Sequence, residues 1–180
     1  MATPSREDAL ATLAEGQGRL DELVSSIPPD DLARSATIGG GDWSVQDLIG
    51  HIATWEELAV RSLVEWQAGE VPWVESPDGP FSDPTPGNVD EFNAGTIEEH
   101  RAASTEQTLA RAADVHRRLV EAIEGLTDEQ WRARAGYDAP DGRRRTLVTL
   151  LGSVLGAPRR PFGHAFAHLP DLDAFARSLG

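Results

Sequence analysis

The sequence predicts an all-α fold, a bundle of four main helices forming one domain over residues 1–180. Three observations point there. Apolar residues recur at intervals of three and four along several long stretches, which is the period of a half-buried helix. Helix-start residues precede these stretches, and Pro or Gly follows them. No stretch alternates apolar and polar residues as a strand would.

Residues 5–27 form the first predicted helix, with Leu10, Leu13, Gln17, Leu20, Val24 and Ile27 on one face. Pro28-Pro29 stops it, because proline lacks the N–H that the helix ladder needs. After "IGGGD", Ser44 is a predicted N-cap, with Asp47 three residues later as in a capping box. The second helix spans about 44–69, burying Val45, Leu48, Ile52, Trp55, Ala59 and Leu63, and it carries His51 on that inward side. Residues 70–88, "EVPWVESPDGPFSDPTPGN", hold five prolines and two glycines and form a long crossover loop. Trp73 and Phe81 are its predicted anchors, and covering a pocket is a second reading for them.

A long third helix is predicted over 89–125, ending at Gly125. Leu109, Ala112, His116, Leu119 and Ile123 form its later stripe, so His116 is read as a core residue or as a supporting partner near a site. His100, among Glu98, Glu99 and Arg101, reads as solvated. Thr127 should cap a short turn that packs Trp131 back. The last helical region starts near Thr146 and is interrupted at "APRRP". Pro161 is then suited to the first position of a new helix carrying Phe162, His164, Phe166 and His168. Pro170 should end or bend that piece, leaving "DLDAFARSLG" as a final short helix.

Composition narrows the chemistry. Without cysteine, disulfides, thiolate zinc sites and a cysteine nucleophile are excluded, so any metal must be held by His, Asp, Glu or water. The net charge of −14 argues against nucleic acid as a partner, since phosphate contacts need clustered Lys and Arg. The one basic cluster, Arg143-Arg144-Arg145, follows an Asp-Gly turn and reads as a solvated loop, with an anionic ligand as the minority reading. No run is long and apolar enough to span a bilayer, and "MATPSREDAL" lacks a signal-peptide pattern. A cytoplasmic protein is expected, with no membrane partner.

"GHAFAHLP", residues 163–170, places His164 and His168 four apart. On a helix that spacing projects both rings from one face, where they can reach a common point. Two imidazoles make half of a first-row metal site, and zinc in catalytic sites takes three protein ligands and leaves one position open. A third ligand must come from another helix. His51 meets that description better than His100 or His116, because its helix start and apolar flanks aim it at the core.

"DWSVQDLIGHIATWEE", residues 42–57, resembles the signature of the DinB/YfiT-like family of four-helix-bundle metalloenzymes, in its Trp43, Ser44, Asp47 and His51. His164 and His168 match the family's HxxxH on the last core helix. "FNAGTIEEHRAASTEQTLARAADVHRRLVEAIEGLTDEQW", residues 92–131, is similar to the ClbS/DfsB branch. The resemblance covers most of the chain. It implies a divalent metal, zinc or nickel, held by His51, His164 and His168, together with a homodimer and a low-molecular-weight thiol such as mycothiol as a co-substrate in some members. The chain departs from the pattern at "GAPRRPFG", where the family's last core helix runs unbroken into its HxxxH.

Asp47, one turn before His51, has two readings: it holds the second nitrogen of that ring, or it only caps the helix. Glu56 and Glu57 are candidate general bases, with a solvated helix face as the plainer reading. The first functional expectation is a metal-dependent hydrolase or thiol S-transferase acting on a small electrophilic molecule in detoxification or self-resistance. The alternative is a non-catalytic bundle that sequesters a small hydrophobic molecule among Trp55, Trp66, Trp73 and Phe92. A purely structural partner protein is least favoured, because it leaves the inward histidines without a role.

Overall fold

The computed structural model describes residues 3–39, 41–82, 88–139, 141–157 and 160–180. Among them are seven α-helices and no strand: α1 (Arg6–Ser26), α2 (Val45–Gln67), α3 (Asn88–His100), α4 (Thr105–Glu124), α5 (Asp128–Arg132), α6 (Leu147–Val154) and α7 (His164–Ser178). Short 3-10 turns stand at Pro29–Asp31 and Trp73–Glu75. The bundle is built from α1, α2, α4 and a fourth position shared by α6 and α7. α2 lies at its centre, packed against α4, α6, α3 and α7, while α1 packs along α7 and α4. No described helix is long and apolar enough to cross a membrane.

The helix starts follow the capping chemistry of the sequence. Ser5, Ser44, Ser104 and Thr127 each accept a hydrogen bond from the backbone N–H three residues on, and the side chain there accepts one in return. Ser104 explains the first departure from expectation. The predicted helix over 89–125 is two helices, because Ser104 and Gln107 form a capping box and restart the ladder after a turn at 101–104. The earlier piece, α3, is thereby free to lie against α2 on its own.

The second departure lies at the C-terminus. Pro161 is not the first helical residue; α7 begins at His164 with Gly163 as its N-cap. Pro158 and Arg159 of the "APRRP" interruption lie outside the described residues. Phe162 takes the left-handed conformation, at φ 60°. That is costly for a bulky residue and persists only where packing over-determines it. Here Phe162 is buried and stacks on Trp131, with ring centroids 5.6 Å apart. Pro170 neither ends nor separates the helix, and α7 continues through it to Ser178.

The core has two apolar clusters. One gathers Ala9, Leu13, Trp55, Leu63, Leu119, Ile123, Trp131, Leu151 and Phe162. The other gathers Leu20, Ile27, Val45, Leu48, Ile52, Leu169, Leu172 and Phe175. Between them the chain places polar side chains. His51 lies between Leu48 and Trp55 on α2, and His164 and His168 lie between Phe162 and Leu169. On α4, His116 comes just before Leu119. The seam between the clusters is where the site forms.

Candidate functional site

His51 enters the seam from α2, and its Nε2 lies 3.0 Å from His164 Nε2. His168, one turn further along α7, brings its Nε2 to 3.2 Å from the same atom. One ligand-capable atom from each of the three rings lies within 4.8 Å of the others. The proline break therefore does not rotate the pair away from His51.

All three rings are held below the usual imidazole range. For His51 burial is the main cause, followed by the nearby His168, and the value falls to about 3. Burial and then the two neighbouring histidines push His164 well down. Burial also lowers His168, against an opposing pull from Asp171. The rings are thus neutral at physiological pH, each with a lone pair available, as metal ligation requires. Zinc–nitrogen bonds of about 2.0–2.1 Å at tetrahedral angles place ligand nitrogens about 3.3 Å apart. Two of the three separations, 3.0 and 3.2 Å, lie near that value, and all three nitrogens fall within 4.8 Å of one another. The donor set, three neutral imidazoles and no thiolate, fits zinc or nickel.

Aromatic rings hold this geometry. Trp43 lies tilted against His51 at 5.0 Å, and Trp55 meets His51 and His164 edge-on at 6.5 and 6.1 Å. Trp55 in turn stacks on Phe81 of the crossover loop and meets Phe92 of α3 edge-on. Its indole N–H donates to Asn93 Oδ1 at 3.0 Å. The loop is tied down by Trp73, whose backbone N–H donates to Glu65 Oε2 and whose ring lies under Arg61. Buried Glu75 adds to this, accepting from Tyr137 Oη at 2.8 Å with Arg145 Nε at 2.9 Å. Arg145 is accordingly an internal partner, while Arg144 pairs with Asp138 on the surface. Loop residues 83–87 lie outside the described residues.

Asp47 caps α2: its carboxylate accepts from the Ser44 N–H at 2.9 Å and lies 3.5 Å from Arg101 Nε. His51 Nδ1 is buried without a hydrogen-bond partner among the described residues, so the capping reading of Asp47 is the one the structure bears. Glu56 is not on a solvated face. It is buried, and its Oε1 lies 2.9 Å from His116 Nδ1 across the α2–α4 interface. Glu57 does face outward and pairs with Arg111 at 2.5 Å. Position 56 follows Ile52 by four residues, and that spacing from a buried neighbour was the available signal for its burial. Of the aromatics assigned to a sequestering pocket, Trp55, Trp73 and Phe92 gather, whereas Trp66 packs on Tyr137 at 5.9 Å. His100 takes no part in the cluster.

Comparison with known proteins places this geometry in a family. The model of the DinB superfamily matches residues 12–169. The fold is similar to that of an uncharacterised protein from Escherichia coli UTI89, with a TM-score of 0.75 and 18% identity over 97% of this chain and 94% of that one. It is similar to the colibactin self-resistance protein ClbS, solved in complex with double-stranded DNA, with a TM-score of 0.71 and 16% identity over 99% and 98% of the two chains. A mycothiol-dependent maleylpyruvate isomerase aligns at a TM-score of 0.57 and 16% identity, and this chain spans 64% of its length. No curated protein matches the sequence. The ClbS complex overturns the exclusion of nucleic acid drawn from net charge, because a protein of this fold is seen with duplex DNA. A negative total does not describe the local surface that meets a ligand. With its family model spanning nearly the whole bundle, the chain belongs to the DinB superfamily.

Proposed function

We propose that the chain is a metal-dependent enzyme acting on a small electrophilic molecule, as a hydrolase or thiol S-transferase in detoxification or self-resistance. The convergence of the His51, His164 and His168 nitrogens within 4.8 Å carries this reading. Three neutral ligands leave a bound zinc or nickel ion its full charge, which lowers the pKa of bound water, activates a thiol or polarises a carbonyl. The protein's part is to keep the imidazoles unprotonated by burial and to fix them with Trp43 and Trp55. The aromatic group of Trp55, Phe81, Phe92 and Trp73 supplies apolar surface beside the triad for the substrate's body.

Similarity to the mycothiol-dependent isomerase and to ClbS supports a thiol co-substrate and a self-resistance role respectively. Duplex DNA belongs among the ligands to assay. The test is metal content of untagged protein by mass spectrometry, with about one equivalent of zinc or nickel expected. His168→Ala should abolish uptake with the helical circular-dichroism spectrum intact. Wild-type protein that cannot be loaded with either ion refutes the reading, and metal retained by His168→Ala refutes the ligand assignment.

The same aromatic group favours a second reading, non-catalytic sequestration of a hydrophobic molecule. Stoichiometric quenching of tryptophan fluorescence without turnover of any electrophile would support it.

A further inference from the structure

Four features of the polar seam remain without a role after the triad is described. Glu56 is a carboxylate at 6% exposure inside the bundle. His116, on a different helix, holds one of its oxygens at 2.9 Å. His164 Nδ1 is buried with no hydrogen-bond partner among the described residues. A small, partly enclosed cavity of about 10 Å³ lies between α1, α2 and α7, and both Glu56 and His164 line it.

These features have one explanation in common. When the Nε2 lone pairs of the triad face a common ion, the proton of each neutral ring sits on Nδ1. A ligating histidine usually donates that proton to a carboxylate, a carbonyl or a water, which fixes the ring and raises its basicity. Among the described residues no group accepts from His164 Nδ1 directly. The cavity that His164 and Glu56 line has room for about one water, for which about 10–15 Å³ is needed. Its walls also supply the polar partners such a water requires. Besides His164 and Glu56, Thr12 and Gln17 reach it from α1, while Ile52 and Phe162 complete it with apolar surface. Thr12 donates its hydroxyl proton to Asp8 O and Gln17 donates to Asp21, so the oxygens of both remain acceptors.

We propose that Glu56, held by His116, positions His164 through a single buried water occupying this cavity. The water accepts from His164 Nδ1–H and donates to the Glu56 carboxylate, so that α4 supports a ligand on α7 across the bundle. Glu56 and His116 are then positioning residues that act on the metal centre through His164. This rests on the triad binding a metal as proposed above, because the ion is what fixes the His164 proton on Nδ1; whether a water occupies the cavity is read out separately.

The experiment measures the affinity for Zn²⁺ alone, by chelator competition, and the visible spectrum of the Co²⁺-loaded protein. Glu56→Gln keeps the side chain's size and removes its charge. It should weaken Zn²⁺ binding by about tenfold or more and shift the Co²⁺ bands, which a merely structural role would not move. Glu57→Gln, on the neighbouring surface position, should change neither. A Glu56→Gln protein with wild-type affinity and spectrum overturns the proposal. Should that variant fail to fold, His116→Gln takes its place and should move both readouts in the same direction; no change in either overturns the proposal. A crystal structure of the wild type, metal-free or loaded, should show an ordered water between His164 Nδ1 and Glu56, and its absence also sinks the idea. Wild-type protein that binds no Zn²⁺ refutes the metal reading, and the crystallographic water then decides this one independently.

Discussion

His51 and His164 present their Nε2 atoms to each other at 3.0 Å across 113 residues of chain, and the Nδ1 of each is buried without a hydrogen-bond partner among the described residues. Apolar packing from the two core clusters and the contacts among the three rings hold the pair in the bundle. That makes the site sensitive to protonation and to helix placement.

Acid should destabilise the metal-free protein through this pair. The folded His51 titrates at about 3, whereas an unfolded imidazole titrates at about 6.5. Between those values the unfolded chain binds a proton that the folded chain does not, so stability falls as pH drops through the window. Urea midpoints of the metal-free protein should decline from about pH 6.5 downward. His51→Gln should flatten part of that slope, and a wild-type profile level to pH 4 would count against the neutral triad.

His116 behaves in the opposite sense. Burial lowers its pKa, but the hydrogen bond and charge of Glu56, with Asp21 beyond, outweigh burial and raise it. Its contribution to stability is therefore complete below the unfolded value of about 6.5 and is lost as pH rises through the folded one. The gap in urea midpoint between wild type and His116→Gln should be wider at pH 6 than at pH 9. An equal gap at both would show that the pair carries no charge coupling.

Gly16 sets the distance of α7 from α1. A Cβ there would stand 3.2 Å from both Ala165 Cβ and the Phe166 ring, beside His164. Gly16→Val should overpack the contact, cost about 1–3 kcal/mol and weaken Zn²⁺ binding. Thermal melts together with chelator competition check both effects, and unchanged metal affinity would mean that α7 adjusts without moving its histidines.

Pro170 has no N–H to offer the Phe166 carbonyl four residues back, yet it lies inside α7 at an exposed position. Pro170→Ala supplies the missing bond without removing packing. It should stabilise by about 1–3 kcal/mol, raising Tm by about 2–4 °C per kcal/mol. A lower Tm would show that proline at this point contributes to the docking of α7.

Much of the bundle was legible locally. Ser44 and Asp47 announce α2, Thr127 announces α5, and the apolar flanks of His51 aim it inward. The same kind of signal, Ser104 with Gln107, also announced the start of α4, but no Pro or Gly stands between His100 and Ser104 to mark the end of α3. Glu56 was harder to read, since a carboxylate on a helix is usually solvated and only the arrival of His116 from α4 allows its burial.

The sequence by itself determined which residues could be ligands and which helix faces carry them, because side-chain projection along a helix follows from spacing. Whether His164 and His168 meet His51 was decided by the tertiary structure. The direction of α7 depends on Phe162 in its left-handed conformation, held there by Trp131, and on the close approach of Gly16 to Ala165. Each is a contact between segments far apart in the chain, and no local pattern encodes the angle at which two distant helices cross.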